Sequence, residues 1–456
     1  MRVHYHTFGC KANQYDTERM RQESEARGTI TTSSREEAAV FLVNTCTVTN
    51  QADADARRLV RRLHREHPEA GIVVVGCSAA LKETEYRSMP GVTGVVPGHD
   101  PVSVAAGLRQ GDRVAALEAT SAGHRPRLAQ IELRAPLDRI DTEPIGGALL
   151  RHRRGASRGW LKVQDGCDRK CSFCATRLAR GTSRSRSVDE VVSEARLLAE
   201  AHAELVLTGI HIGHYGIDLE PGSTLSRLCA ELLERVPDVR FRLGSIEATE
   251  VDDLLVKLLV MAPDRLVPHV HMPLQSGADP VLRLMRRWHT REQYRRRVWE
   301  IAERVQPLGL GADVITGFPG ESTEDHQSTR ALIEELPFTY LHVFPFSPRA
   351  DTAAASMPNP VAQRVSGVRA RELREIGQAK GGAYRAARVG STATVVIEGE
   401  GGTGLTEDYL RVDVAGTVGA GAPSHTRRAA SAVVRGTLLG NADHLYIDAP
   451  HELPGI

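Results

Sequence analysis

Between residues 156 and 375 the chain alternates six short apolar segments with helical ones, and this rhythm constrains its fold most strongly. The strand candidates are GWLKVQ, ELVLTGI, VRFRLGSI, LVPHVHMPL, LGADVITG and YLHVFPFS. The segments between them carry helical stripes. Val188, Val191, Val192, Ala195, Leu198 and Ala199 form one, opened by a Ser187/Glu190 capping box. Leu225, Leu228, Cys229, Leu232 and Val236 form another, which assigns Cys229 to the core. Strands joined by helices pair in parallel, so the region predicts a partial (β/α)6 barrel whose working face lies at the C-terminal strand ends.

The flanking regions read differently. Residues 1–111 run strand (RVHYHTF), helix, strand (AVFLVNT), helix, strand (GIVVVG), which predicts a small parallel α/β domain. Residues 112–155 are polar and rich in Arg and Pro, as in a linker or arm. Residues 385–450 hold short strands divided by glycine turns, STATVVIEG, DYLRVDVAG and VVRGTLLGN, which predict a small antiparallel β-barrel. There GEGGTG (399–404) matches the dinucleotide fingerprint formally. The fingerprint needs a helix next, but LTEDYLRVDV reads as strand, so a hairpin turn is expected.

A hydrophobic content of 41% and a charged content of 25% describe an ordinary globular chain. No apolar run approaches membrane-spanning length, and the N-terminus lacks the order of a signal peptide, so a cytoplasmic location is expected. In that reducing setting seven cysteines point to metal or redox chemistry more than to disulfides. A net charge of +1 makes no global case for nucleic acid. RHRRGASR (151–158) and RLMRRWHTREQYRRR (283–297) are local basic patches able to track a phosphate backbone, in an arginine-rich chain where such clusters also arise by bias.

The stretch QDGCDRKCSFCATRLARG places Cys167, Cys171 and Cys174 directly after the first barrel strand. Structural zinc usually takes four ligands, and only one C-x2-C pair is present; His211 and His214 are possible fourth ligands that no spacing demands. Soft thiolates in a compact loop suit a [4Fe–4S] cluster better, and three of them leave one iron open for a ligand. Cys10, Cys46 and Cys77 each end a predicted strand of the first domain, so a parallel sheet gathers them on one edge. Each alone reads as a buried structural cysteine. Three at equivalent positions predict a second three-thiolate cluster.

C-x3-C-x2-C with Phe173 before its last cysteine resembles the radical S-adenosylmethionine superfamily. Together with GCKANQYDTE, NTCTVTNQAD, LTGIHIGHYG, SIEATEV, HMPLQSGADPVLRLMRR, DVITGFPGES and FPFSPR, it resembles the methylthiotransferase family over nearly the whole chain. Within that family Lys11 after the first cysteine fits the branch acting on N6-threonylcarbamoyladenosine in tRNA. The isopentenyladenosine branch typically has glutamine there, and the ribosomal protein S12 branch proline-lysine. The resemblance implies two [4Fe–4S] clusters and two S-adenosylmethionines per turnover, one giving the methyl group and one the radical. It implies an external electron donor and sulfur source, and a methylthio group placed on C2 of the adenosine beside the anticodon. It implies cofactor contacts from Phe173, Thr208, Gly209, Glu247, Gln275 and Asp313, and close backbone approach at Gly317. His269 and His271 read as a packed strand. The last module resembles a TRAM domain, with Tyr409 and Arg411 as RNA-contact candidates. A non-catalytic iron–sulfur electron carrier or redox-sensing RNA-binding protein is the alternative from another class, and the open irons speak against it.

Overall fold

The computed structural model describes residues 1–108, 149–398, 402–414 and 433–453. Its first unit is a five-stranded sheet of β1 (Arg2–Thr7), β2 (Ile30–Thr31), β3 (Val40–Thr45), β4 (Gly71–Gly76) and β5 (Val92–Pro97). The order is β2-β1-β3-β4-β5, and every pairing is parallel. VFLVNT and GIVVVG are buried along their whole length, as central parallel strands covered on both faces should be. Period-two alternation splits them between two cores. Phe41, Val43, Ile72 and Val74 meet Leu59 and Leu63 of helix α2 (Asn50–Glu66) on one side. Val40, Leu42, Val73 and Val75 meet Met20 of helix α1 (Lys11–Ala26) on the other. Thr49 caps α2, its hydroxyl accepting from Ala52 N at 3.1 Å.

The second unit contains all six expected strands. They are β6 (Arg158–Lys162), β9 (Glu204–Thr208), β10 (Arg240–Leu243), β11 (His269–His271), β12 (Gly309–Thr316) and β13 (Tyr340–Pro345). Between β6 and β9 a small antiparallel pair intervenes, β7 (Gln164–Asp165) with β8 (Arg184–Ser185). Two parallel sheets, β6-β9-β10 and β11-β12-β13, are joined by the bridges Phe241–Leu266 and Ser245–His271 into one arc. The helices pack outside it. Val191, Val192, Ala195 and Leu198 are fully buried in the core, with Cys229 among them as expected. Among the described residues β6 and β13 do not pair, and α1 lies across that gap. Gln14 Oε1 accepts from Trp160 Nε1 at 3.1 Å, and Lys162 Nζ donates to Asp16 Oδ1 at 2.7 Å.

Most of the expected linker lies outside the described residues. Its described end is docked: Leu150 N donates to Glu194 Oε2 and Arg151 N to Gln22 Oε1. A single helix, Gln363–Arg388, leads out of the barrel and runs through the expected boundary at 375–385. Among the described residues no helix is long and apolar enough to cross a membrane.

The third unit is a closed, TRAM-like five-stranded barrel of β14 (Thr392–Glu398), β15 (Thr403–Thr406), β16 (Arg411–Val414), β17 (Val433–Gly440) and β18 (Leu445–Glu452). Two expectations change here. The barrel is not wholly antiparallel, because β16 and β18 pair in parallel to close it. LTEDYLRVDV is not one strand either. Tyr409 adopts a φ of 73°, and Thr406 Oγ1 accepts from Leu410 N at 2.8 Å, so the chain turns between β15 and β16. Glu398 pairs with Thr403, as the two ends of a hairpin do, although residues 399–401 lie outside the described residues.

This small barrel seats on the N-terminal strand ends of the larger one. Arg242 donates to the carbonyls of Thr406 (2.8 Å) and Glu407 (2.9 Å), and Arg240 to that of Leu405 (3.2 Å). Arg158 reaches Glu398 at 2.7 Å. Glu204 sits at the centre with no exposed side-chain surface, accepting from Arg240 (2.7 Å) and Arg242 (2.9 Å), with Arg158 at 3.6 Å. Burial pushes its carboxyl up, but Arg242 and Arg240 outweigh burial and hold it well below the usual carboxylate range. A depressed carboxylate contributes stability above its unfolded pKa, near 4.5, and loses it as the pH falls further. We predict that Glu204→Gln, which leaves buried guanidiniums without their anion, costs about 3–5 kcal/mol at pH 7 in urea unfolding. That deficit should shrink on acidification as the wild type loses the same charge.

Candidate active site

The Cys167–Cys174 loop is fixed by backbone bonds before any ligand is considered. Gly166 turns at φ 69°, and a Cβ there would strike the Thr182 carbonyl. Cys167 N donates to Gly181 O at 3.1 Å and Ser172 N to Met285 O at 3.1 Å, while Ser172 Oγ donates to Leu284 O at 2.7 Å. The three thiols are half-buried together. Burial pushes the Cys167 thiol up to about 12, and Cys174 and Cys171 add to that rise. Three soft donors that oppose one another's ionisation call for a strongly positive partner, because thiolates bind metal only after losing their protons. Arg287 donates to Cys171 Sγ at 3.6 Å and pairs with Glu247. The donor set therefore fits a three-thiolate cluster.

His211 and His214 stand beside this loop. Their rings stack at 3.9 Å, and both face Glu250, at 2.8 and 3.3 Å. Burial opposes ionisation of Glu250, but hydrogen bonds from the two imidazoles bring its carboxyl down to about 2. The other ring nitrogen of His211 lies 3.4 Å from Cys167 Sγ, so His211 connects Glu250 to the thiol loop.

The remaining candidates fall at several depths of the barrel. Thr208 ends β9, where its carbonyl accepts from Val163 N at 2.9 Å. Gly209 is packed against Gln164, leaving no room for a side chain. Glu247 is nearly buried beside the cysteine loop through Arg287. Gln275 has a φ of 65° and bridges to Val314. Asp313 lies between His271 (3.1 Å) and His342 (3.2 Å), a group whose ligand atoms are close enough to hold a metal ion. His271 is thus more than strand packing. Phe173 stands edge-on to Phe318 at 6.3 Å. The close approach at Gly317 comes from Ser366 of the helix Gln363–Arg388, where a Cβ would collide.

Cys10, Cys46 and Cys77 lie past the ends of β1, β3 and β4. Gly9 is required here, since its φ is 97° and a Cβ would meet Cys46 at 2.7 Å. Burial pushes the Cys77 thiol up to about 12, and Cys46 and Cys10 oppose its ionisation further, whereas Arg180 favours it. Arg180 comes from the helix Thr176–Arg180, directly after the barrel cysteines. Its fully buried guanidinium donates to Cys77 Sγ (3.3 Å), Asp165 (3.0 Å), Asp16 (2.8 Å) and Asn13 Oδ1 (2.5 Å). His99 lies 3.1 Å from it. Burial and then Arg180 bring that imidazole down to about 3, so it is neutral and accepts from the guanidinium. Arg180 thus ties Cys77 to Asp165, which lies just before the barrel thiol loop. Sequence reading passed over Arg180, Lys162, Gln164, Asn13, Asp16 and His99. The available signal was a helix, KANQYDTE, that begins at a candidate ligand yet has polar residues where a core face belongs.

Tyr409 is committed to the domain interface. Its ring stacks on His269 at 4.2 Å, with the Arg242 guanidinium 5.5 Å from its centroid, so it offers no free face for a base. Arg411 is exposed at the start of β16. Many arginines of the two basic patches are also engaged: Arg154 with Glu25, Arg158 with Glu398 and Arg295 with Glu335. A different set faces outward. Arg61, Arg62 and Arg65 of α2, with His6 and Phe8, line a cavity of about 550 Å³ next to Cys10 in sequence.

Two family models match the chain: Uncharacterized protein family UPF0004 over residues 2–98, and Radical SAM superfamily over residues 161–333. Threonylcarbamoyladenosine tRNA methylthiotransferase MtaB of Bacillus subtilis (strain 168) is 36% identical over 81% of this chain and 79% of its own. The protein of that name from Aquifex aeolicus (strain VF5) is 32% identical over 90% and 96%. A tRNA-2-methylthio-N(6)-dimethylallyladenosine synthase of Sorangium cellulosum (strain So ce56) is 34% identical over 86% and 81%. Among solved structures, the radical S-adenosylmethionine methyltransferase TsrM from Kitasatospora setae, with cobalamin and a [4Fe-4S] cluster bound, shares the fold. Its TM-score is 0.57 at 16% identity, over 78% of this chain and 77% of its own.

Arg180→Met leaves Asp16 and Asp165 buried against Lys162 alone, and should lower stability by about 3–5 kcal/mol in urea titration. Adding Asp16→Asn removes the orphaned charge and should recover part of that loss. Strictly additive effects would show that the two residues do not communicate.

Proposed function

The chain belongs to the radical S-adenosylmethionine methylthiotransferase family, and we propose that it adds a methylthio group to C2 of N6-threonylcarbamoyladenosine in tRNA. The observation that carries the reading is the second set of three thiols, one of which, Cys77, accepts from Arg180 of the helix that follows the first set. A radical enzyme needs only the barrel set. When bound, the two [4Fe–4S] clusters and two molecules of S-adenosylmethionine supply the radical, the sulfur and the methyl group. Cys167, Cys171 and Cys174 hold one cluster, and Cys10, Cys46 and Cys77 the other.

The other residues bind and orient. Thr208, Gly209, Glu247 and Gln275 end barrel strands around the first thiol set, where they support S-adenosylmethionine. His271 and His342 hold Asp313 ionised, since their hydrogen bonds outweigh the burial that opposes its charge. Phe344, 43% exposed on the same strand parity as His342, is the platform for the target base. Arg61, Arg62 and Arg65, with Arg411, suit the phosphates of the anticodon loop. The electron donor and sulfur source come from outside the chain, and the reaction belongs in the cytoplasm with its tRNA.

Replacing Cys167, Cys171 and Cys174 with alanine should halve bound iron and abolish cleavage of S-adenosylmethionine. Replacing Cys10, Cys46 and Cys77 should halve iron, spare cleavage and block sulfur insertion. Equal loss of both activities from either set would sink the division of labour. Nucleoside mass spectrometry of tRNA from a deletion strain tests the acceptor. Loss of the methylthiolated threonylcarbamoyl nucleoside is expected, whereas loss of the dimethylallyl form instead would reassign it.

A further inference from the structure

Lys11 is the first residue of α1 and the neighbour of Cys10. Gln14 binds Trp160 and Asp16 binds Lys162, so the helix runs alongside β6. Lys11 lies one turn before Gln14 on the same helix face, which carries it toward Arg158 at the start of that strand. There the half-buried Lys11 lies within electrostatic reach of Arg158, Arg242 and Glu204, and its charge reaches His269. Glu204 is the carboxylate nearby, and Arg240, Arg242 and Arg158 already hold it. Among the described residues Lys11 has no hydrogen-bonding or ion-pair partner. A half-buried ammonium beside arginines, with no carboxylate of its own, is a costly arrangement unless an occupant of the barrel brings one.

The acceptor read above supplies that anion. The threonylcarbamoyl group ends in a free carboxylate and is attached at N6, two ring bonds from C2 by way of N1. The carbon that receives sulfur and the charged tail are therefore close together on the base. On the protein, Cys10 and Lys11 are adjacent in the chain. We propose that Lys11 pairs with the carboxylate of the threonylcarbamoyl group, selecting the anionic modified adenosine while Cys10 helps to hold the sulfur-bearing cluster. The proposal rests on the acceptor assigned under Proposed function. Phosphates and the carboxylate of S-adenosylmethionine are other anions within the reaction, and the test separates them.

The test compares tRNA carrying threonylcarbamoyladenosine with the same tRNA carrying its methyl ester, using the reconstituted holoenzyme. The ester removes one charge from the base and leaves every phosphate and the cofactor unchanged. For the wild type, KM should rise on the order of tenfold or more with the ester while kcat changes little, the size expected when a charged hydrogen bond is lost. Lys11→Met should treat acid and ester alike, and Lys11→Arg should restore the preference for the acid. Equal KM values for the two substrates with the wild type would overturn the proposal, even if Lys11→Met lost iron. So would full acid preference in Lys11→Met. A wild type that modifies neither form would remove the acceptor assignment, and the proposal with it.

Discussion

One buried guanidinium fastens the domain that carries Cys10, Cys46 and Cys77 to the barrel that carries Cys167, Cys171 and Cys174. Arg180 spends its donors on Asp165, Asp16, Asn13 and Cys77, while Lys162 binds the same two carboxylates at 2.6 and 2.7 Å. With His99 neutral, two cations balance two anions, and the cluster closes without net charge. This is why it tolerates full burial: each ion has a partner and each donor an acceptor. Asp16 and Asn13 belong to the N-terminal sheet domain and Asp165, Lys162 and Arg180 to the barrel, so the network exists only when the two are docked. A second clasp repeats the logic. Arg349, in the loop after β13, binds Thr47 (2.6 Å) and Asp53 beside Cys46, and Lys82 shares that aspartate at 2.8 Å.

Strand β6 carries this arrangement from end to end. Its side chains at 158, 160 and 162 point the same way. Arg158 binds Glu398 of the C-terminal barrel, Trp160 donates to Gln14, and Lys162 binds Asp16. Three domains therefore meet on alternate residues of one five-residue strand. The edge of β6 that a closed barrel would pair is covered by α1 instead, which brings Cys10 to the barrel wall.

The strands and both cysteine sets were legible because each depends on local pattern. Apolar runs broken by helical stripes need no partner to be recognised, and three strand-end cysteines imply one edge as soon as the sheet is parallel. Arg180, Asp16 and Glu204 were not legible, because a polar residue in isolation reads as solvated surface. Pairings distant in the chain, 36 residues for Glu204 with Arg240 and 164 for Arg180 with Asp16, turn them into buried ions. Tyr409 failed for a different reason. The TRAM resemblance makes it an RNA-contact candidate, but its left-handed turn directs the ring onto His269. At Gly317, expected to allow close approach to the cofactor, the group that approaches is Ser366.

The inner face of the barrel shows where chemistry can take place. Leu205, Leu207, Phe241, Leu243, Leu310, Ala312 and Val314 fall on the outward parity and pack under the helices. The inward parity instead carries Glu204, Arg242, His269, His271, Asp313, Tyr340 and His342. A barrel interior used only for packing fills with branched apolar side chains, so this lining needs another cause. Its groups satisfy one another across strands: the Tyr340 hydroxyl meets His269 at 2.8 Å and His271 at 3.0 Å, and Gly311 leaves space for the tyrosine ring. The seal is complete at the N-terminal end, where Glu204 and the small barrel close it. It weakens upward, to a His342 side chain that is 53% exposed. The polar lining is thus buried at the N-terminal strand ends and most exposed toward the C-terminal ones.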